Sequence, residues 1–130
     1  MDEMMKTMAA SASGMRAQAA RVRLSSENIA NADTPGYRRK TVSFEEAFAR
    51  PGEPVTVATG PLRLDQSEFE RVFEPNNPMA DADGYVESSN VDLMVEIADA
   101  REANRSYEAN LRMFDQARQM ASALLGLLRR

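Results

Sequence analysis

The amino-acid sequence predicts a mainly α-helical protein, with a long helix at each end and a small β-rich or loop insertion between them. Apolar residues repeat at heptad spacing near both ends. Five of the six prolines and three of the six glycines lie between Pro51 and Gly84. Aromatic residues make up only 6% of the chain, and its nine methionines suit packed helices. We therefore predict an N-terminal heptad helix at 1–32, a turn motif plus a small β-rich element at 33–89, and a C-terminal heptad helix at 90–130.

The first helix is predicted from a repeat of seven residues. Its apolar seam combines two series, which are Met8, Met15, Val22 and Ile29 and, three residues before each, Met5, Ala12, Ala19 and Ser26. A helix of about 27 residues would be about 40 Å long, and its single apolar stripe requires a partner. The helix should end before Pro35, which disfavours helical geometry at the preceding residue. Pro35 and Gly36 fit the central positions of a type II turn.

The middle of the chain has short strand patterns. We predict strands at 55–58, 62–64 and 69–73, where β-branched and aromatic residues are separated by turn residues. Residues 43–48 are predicted to form one or two helical turns. The segment 75–78, with a proline at each end, is predicted to be extended or a turn.

The second helix is predicted to begin at Asn90 as its N-cap, with Asp92 in the first turn, where an acid favours the helix dipole. Its seam steps by alternating four and three residues through Leu93, Ile97, Ala100, Asn104, Tyr107, Leu111, Phe114, Arg118, Ala121, Leu125 and Leu128. Asn104 and Arg118 are polar; such residues either fix the register of a seam or point to solvent, and both readings stay open. Towards the C-terminus the helix is apolar on more than one side, which indicates more than one neighbour.

Composition excludes most enzyme chemistry. The chain has no His and no Cys, so it cannot build a Ser-His-Asp or Cys-His arrangement or a zinc-thiolate site. The stretch from Asp81 to Gly84 lacks the spacing of a calcium loop and is predicted to be a turn with solvated acids. We therefore expect a non-enzymatic protein with no catalytic, cofactor-binding or metal-binding residues and no cofactor.

Charge is distributed unevenly along the chain, although the net charge is only −4. Residues 41–96 carry twelve acidic and three basic side chains, whereas both ends are mildly basic. The run Arg38-Arg39-Lys40 is too short for a nucleic-acid site and is interpreted as a solvated loop edge. No segment reaches the apolar length of a membrane span, and the first residues do not resemble a secretory signal peptide. If the protein leaves the cytoplasm, we expect another route.

One motif follows directly after the first heptad series. It reads Asn-Ile-Ala-Asn, two further residues, then Thr-Pro-Gly-Tyr, and resembles the N-terminal signature of bacterial flagellar axial proteins, which are the rod, hook and hook-associated subunits. The matching positions, called the N-terminal signature below, are Asn28, Ile29, Ala30, Asn31, Thr34, Gly36 and Tyr37. The Asp33-Thr34-Pro35 sequence departs from many relatives, which have an Asn and no Pro there. Residues 74–92 and 100–110 are most similar to the basal-body rod subunits, and specifically to a short subunit of the proximal rod.

The resemblance implies a fold and a location. It implies terminal helices that lie antiparallel as a coiled coil, and a structural subunit of the basal-body rod that assembles through them. The implied partners are other rod subunits, further copies of the chain, and the base of the rod with its export apparatus, without nucleic acid. The implied location is the rod crossing the periplasm, after type III export without a cleaved signal peptide.

The expected assembly residues are the large apolar seam positions. They are Met5, Met8, Met15, Val22, Ile29, Leu93, Ile97, Tyr107, Leu111, Phe114, Leu125 and Leu128. The alternative reading is an acidic helical chaperone or adaptor of a type III secretion system. Such a protein would be a folded dimer in solution and would not need the N-terminal signature.

Overall fold

The structure is a computed structural model that describes residues 2–47 and 50–129. Two long helices, which make up about 52% of the described residues, flank two small antiparallel strand pairs. In chain order, the elements are α1 (Asp2–Ala30), β1 (Lys40–Ala47), β2 (Thr56–Leu64), β3 (Arg71–Phe73), β4 (Tyr85–Glu87) and α2 (Leu93–Leu128). The prediction of a mainly α-helical chain with a small β-rich insertion is confirmed.

The two helices pack against each other in antiparallel directions. Near the start of α1, Met4 shares a groove with Met120 near the end of α2. Halfway along, Gly14 lies against Asn110. Towards the end of α1, Arg21 forms ion pairs with residues close to the start of α2. Because α2 has 36 residues and α1 has 29, the last turns of α2 extend past the beginning of α1.

The helix boundaries are set by a turn and by a cap. After α1, the backbone N–H of Tyr37 donates to the carbonyl of Thr34 at 3.2 Å, and Gly36 has φ +73°, as expected for a type II turn. The prediction of Asn90 as the N-cap of α2 is wrong. Asp92 caps the helix, because its side chain accepts from the Met94 N–H, while the Asn90 side chain is used elsewhere.

Strands β1 and β2 form an antiparallel hairpin with an irregularity between Val42 and Phe44. The hairpin lies on α1, and the Ser13 hydroxyl accepts a hydrogen bond from the Val57 N–H at 3.0 Å. The prediction of helical turns at 43–48 is wrong over 43–47, because pairing with β2 outweighs the weak local preference; residue 48 lies outside the described residues. The predicted strands at 55–58 and 62–64 are parts of one strand, β2, which begins at Thr56.

Strands β3 and β4 form a second antiparallel pair. Within the predicted strand at 69–73, only Arg71–Phe73 is extended in the ladder, and the sequence interpretation missed β4 altogether. Val86 of β4 is buried at 4% exposure, and the Gly36 N–H donates to the Glu87 carbonyl, which connects this pair to the turn after α1. On the opposite face, the rings of Phe73 and Tyr85 meet edge to face at 5.2 Å. Gly84 has φ +86°, and an added Cβ there would lie 2.8 Å from the Phe73 ring.

The buried core is small for a chain of this length. Its hydrophobic members are mostly alanines: Ala17, Ala103, Ala117 and Ala121, together with Val86. Many large apolar side chains remain exposed along α2, and a monomeric soluble protein rarely leaves so many in one place. Among the described residues, no helix combines the length and the apolar character that crossing a membrane requires.

Candidate assembly surfaces

The contact between the two helices is made by small and polar residues. Ser11 and Ser25 of α1 and Ala103 and Ala117 of α2 are buried. Gly14 allows a close approach, since an added Cβ would lie only 2.8 Å from the amide oxygen of Asn110. Small side chains let two helix backbones approach closely, which favours tight packing over a large apolar seam.

This contact lies one residue away from the predicted seam on both helices. Along α1 it passes through Met4, Thr7, Ser11, Gly14, Arg21, Ser25 and Asn28, and along α2 through Glu96, Asp99, Ala103, Asn110, Met113, Ala117 and Met120. Each of these positions precedes a predicted seam position by one residue, which is a rotation of about 100° around the helix. Apart from Ala121, which is buried, the predicted stripe therefore lies beside the contact within the chain.

The predicted assembly residues are mostly half-buried or exposed in the single chain. Met8, Met15, Val22 and Phe114 are half-buried. The others are exposed, from 37% to 77%: Met5, Ile29, Leu93, Ile97, Tyr107, Leu111, Leu125 and Leu128. The structure thus brings none of them into a completed core, and their role in assembly stays a prediction.

The N-terminal signature contains a hydrogen-bonded anchor for the chain reversal after α1. Asn28 is only 1% exposed. Its side-chain NH₂ donates to the carbonyl of Lys40 at 2.9 Å, and its oxygen accepts from the Lys40 N–H and from the Tyr37 hydroxyl, both at 2.9 Å. Burial, together with the nearby Glu27, raises the pKa of Tyr37, so its hydroxyl stays a donor at neutral pH. One amide side chain thereby fixes where β1 begins relative to the helix.

Other signature residues either shape the turn after α1 or stay exposed to solvent. The Asn31 side chain donates to the carbonyl of Glu27 and accepts from the Thr34 hydroxyl at 3.1 Å, which closes the end of α1. The Gly36 N–H donates to the Glu87 carbonyl at 3.3 Å. Ile29 and Ala30 are exposed and make no side-chain contact that would explain their identity within the chain.

A second anchor, made by Ser89 and Asn90, was missed by the sequence interpretation. The Asn90 side chain accepts from the Arg39 N–H at 2.6 Å and donates to the carbonyl of Asp65 at 2.9 Å. Ser89 is buried, and its hydroxyl donates to the carbonyl of Ala32 just after α1. The segment before α2 is thus tied to both the end of α1 and the start of β1. No local sequence signal separates this anchor from a cap, because the partners Arg39 and Asp65 lie far from Asn90 in sequence.

The interpretation of Arg38-Arg39-Lys40 as a solvated loop edge is wrong. Arg38 donates to the carbonyls of Asp65 and Ser67 and lies 4.4 Å from the centre of the Phe69 ring. Lys40 forms an ion pair with Glu27, and this hydrogen bond raises the pKa of Lys40. Acids located far away in sequence engage these side chains, so the local run alone could not reveal their role.

Arg39 is the centre of an ion cluster between the helices and β1. Its guanidinium donates to the fully buried Glu96 and to Asp99 at 2.8 Å, and Asp99 also lies 3.5 Å from Arg21. Burial opposes the charge on Arg39, but the hydrogen bond and charge of Glu96 hold its pKa above the ordinary value. A buried carboxylate that lost this partner would be strongly destabilising. The cluster therefore locks α1, β1 and α2 together.

The remaining candidate sites are structural. Asp81 accepts from the N–H groups of Asp83 and Tyr85 at 2.9 Å and pairs with Arg71 at 2.8 Å, so it closes a turn. These hydrogen bonds, with that from Tyr85 the largest, lower its pKa. Within residues 2–47 and 50–129, no group of His, Cys, Asp or Glu is arranged to hold a metal ion. Asn104 and Arg118 are both exposed in the single chain, and Arg118 approaches Asp115 at 3.6 Å.

Comparison with known proteins identifies the class to which this arrangement belongs. Residues 8–38 match the profile described as "Flagella basal body rod protein", and residues 82–127 match "Flagellar basal body rod FlgEFG protein C-terminal". The first match contains the Asn28 anchor, and the second contains Asn90 and nearly all of α2. The chain is thus a flagellar basal-body rod protein.

Full-length relatives narrow the class further. The chain is 40% identical to the flagellar basal-body rod protein FlgC of Agrobacterium fabrum, with 99% of this chain and 98% of the relative covered. It is 36% identical to the FlgC proteins of Salmonella typhimurium (88% of this chain and 90% of the relative) and Bacillus subtilis (78% and 82%). The chain belongs to the FlgC family. It is a structural subunit of the rod in the basal body, in a family that is not enzymatic, and its relatives give no support to the chaperone or adaptor alternative.

Proposed function

We propose that the chain builds the rod through the apolar stripes of α1 and α2, which pack as coiled-coil contacts against the helices of neighbouring subunits. The observation that carries this proposal is that each helix has two different faces. One face contacts the other helix of the same chain, and the heptad stripe of large apolar residues lies beside it. The contact within the chain uses mostly small and polar residues, with methionines where the start of α1 meets the end of α2, while the large apolar residues at heptad spacing stay exposed or half-buried. A helix that presents an apolar stripe on a second face requires a second partner.

The exposed stripe offers enough apolar surface to drive association. Leu111 and Leu125 retain 41% and 43% of their exposure, and Leu128 retains 77%. Full burial of such a side chain contributes about 1.5–3 kcal/mol, so several half-exposed positions together contribute several kcal/mol per interface. Because the stripes on α1 and α2 differ, copies that meet through unlike stripes form a heterologous contact, which builds an open helical array when its rotation does not close a ring.

The division into 1–32, 33–89 and 90–130 is part of the proposal. The terminal segments supply the assembly stripes, and the middle segment orients them through the contacts of its Arg39 and Lys40 with Asn28 in the first segment and with Asn90 and Glu96 in the last. A subunit in a torque-bearing shaft benefits from such fixed internal angles, because its contacts must recur at every position. Asn104 and Arg118, the two polar residues of the α2 seam, would fix the register of α2 against a neighbouring helix.

We also propose the proximal rod as the location, where the rod crosses the periplasm, and type III export as the route. The proposed partners are other rod subunits, further copies of this chain and the base of the rod with its export apparatus. The resemblance of the N-terminal signature and of residues 74–92 supports this placement. The acidic middle of the chain speaks against a nucleic-acid partner.

Paired substitutions test which helix face is used. Met15→Asp and Leu111→Asp each place a charge on the proposed stripe, where burial in an assembled interface would cost several kcal/mol. Arg16→Gln and Arg112→Gln, each one residue further on, lie on exposed positions and should cost about 1 kcal/mol or less. We expect the Asp variants to be exported without forming rods, while the Gln variants support swimming.

Export, rod isolation and motility are measured for each variant. Rods that assemble normally with Leu111→Asp would show that this face is not an interface. Loss of assembly in the Arg variants, with normal assembly in the Asp variants, would place the interface on a different face of the same helices.

A further inference from the structure

Strands β3 and β4, with the turn between them, form a small projecting unit that we call the β3–β4 knob (residues 71–87). It exposes Phe73 at 61%, with the Tyr85 ring beside it, and Met79 in the intervening turn at 66%. Aromatic and methionine side chains are enriched at protein interfaces, and Phe73 is held rigidly because it packs over Gly84. The exposed parts of the Phe73 and Tyr85 rings remain available to a partner, and the buried Val86 lies on the opposite face of the strand pair.

The surroundings of the knob are strongly acidic. Residues 65–92 contain eight acidic side chains and one basic side chain. That basic side chain, Arg71, pairs with Asp81 and lies over the Tyr85 ring. Among the described residues, Asp83 and Glu87 form no ion pair, so their charges are available to a partner. The expected partner surface is therefore basic, with an apolar floor.

A surface with that chemistry lies on α2. Met94, Ile97, Ala98, Arg101, Glu102 and Arg105 line an open groove of about 320 Å³, which we call the arginine groove. Ala98 lies two positions after the buried Glu96, and Arg105 lies two positions after the buried Ala103. Two positions correspond to a rotation of about 200° around the helix, so both side chains face away from α1. In the part of the chain that the structure describes, Arg101 and Arg105 form no ion pair. Glu102 is engaged with Arg21 of α1, so the free charge at the rim is positive.

We propose that the β3–β4 knob of one copy of this chain docks into the arginine groove of the next copy. Met79 and the Phe73–Tyr85 pair meet the apolar floor, and Asp83 and Glu87 face Arg101 and Arg105. Within one chain, neither strand of the knob packs against α2, so the two surfaces are available to different neighbours. Since knob and groove are different surfaces, each copy uses both, and the contact propagates head to tail from copy to copy.

The inference rests on the rod-subunit function, but it goes beyond the helix stripes and assigns a task to the middle segment. Opposite charges around an apolar centre select the correct partner and its orientation, while the apolar centre contributes affinity. The knob therefore determines which copies become neighbours, whereas the stripes hold the terminal helices together.

Cysteine cross-linking in assembled rods tests the proposal, because the natural chain contains no Cys. A variant carrying both Met79→Cys and Ala98→Cys should give a ladder of disulfide-linked multimers after oxidation of isolated rods. Each single variant should give no self-linked product, and a mixture of the two should give dimers. Thr59→Cys with Ala98→Cys is the matched control, since Thr59 is exposed on the hairpin away from the knob; it should give no ladder.

Charge reversal makes the test specific. Adding Asp83→Lys and Glu87→Lys to the cysteine pair should lower the ladder yield by a factor of ten or more, on the order expected for like charges across an interface. Further addition of Arg101→Glu and Arg105→Glu should restore it. If the cysteine pair itself prevents assembly, the same charge reversal and its rescue are scored by motility in the cysteine-free chain.

Three results would overturn the inference. They are rods that assemble normally but give no ladder, a dimer from Met79→Cys alone, which would indicate a symmetric contact, and disulfides formed only with a different rod subunit. Failure of the helix-stripe proposal is distinguishable, because Leu111→Asp would then leave both rods and ladder intact.

Discussion

Replacement of Asn28 by alanine should destabilise the helix pair more than any other single change in the N-terminal signature. The substitution removes three hydrogen bonds of 2.9 Å, to the Lys40 carbonyl, the Lys40 N–H and the Tyr37 hydroxyl. Each contributes about 1 kcal/mol, because the groups left behind are partly buried and water reaches them poorly. The better helix propensity of alanine returns about 0.5 kcal/mol. The expected loss of unfolding free energy is about 2–3 kcal/mol.

Tyr37→Phe is the matched control for this change. It removes only the hydroxyl donor, while Asn28 keeps both bonds to Lys40, so the expected loss is about 1 kcal/mol. Thermal melting followed by circular dichroism, in a buffer with an osmolyte that favours the folded state, compares the two variants. Asn28→Ala should lower the melting temperature by about 10 °C and Tyr37→Phe by about a third of that. Equal shifts for both variants would refute the reasoning, since the amide would then do no more than hold the tyrosine.

Two further predictions concern charged groups. Arg39→Met should lower the free energy of unfolding by about 3–5 kcal/mol, because it leaves the buried Glu96 without its cation. The additional change Glu96→Leu should recover most of this loss, and denaturant unfolding measures both variants. If the double variant does not recover, Arg39 acts mainly through Asp99. The pKa of Asp81 is lowered, first by the Tyr85 N–H and also by Arg71, so its contribution is complete above its ordinary pKa and is lost as the pH falls through the lower folded value. The melting temperature of the natural chain should therefore fall more steeply below about pH 4 than that of Asp81→Asn, and parallel pH profiles would contradict this.

The terminal helices could be predicted because their apolar residues repeat with a clear period. The register of their mutual contact could not, since periodicity reports where large apolar residues lie and not which partner covers them. Gly14 and Ser11 look unremarkable in sequence, yet close approach of the helix backbones selects them for the internal contact. The large residues one position later stay half-buried or exposed in the single chain, and their use by neighbouring subunits stays a prediction.

The middle segment was predicted less well, for a different reason. Residues 43–47 contain two glutamates and little local preference for a strand, and only pairing with β2 fixes them as β1. Asn90 carries the signature of a helix cap, but its side chain is drawn to Arg39 and Asp65, and Asp92 caps the helix in its place. Contacts between distant segments decided each of these cases, and a local reading of residues contains no information about them.

The spacing of the anchoring contacts along the chain has a kinetic consequence. Arg39 is 51 residues from Asn90, 57 from Glu96 and 60 from Asp99, and Arg21 is 81 from Glu102. Contacts between such distant residues form slowly, because a long loop must close before they are made. The ion pairs that hold α1 against α2 therefore cannot form until most of the chain is present in one place. A partly synthesised chain keeps α1 separate from α2, and the helix pair is completed only when α2 is present.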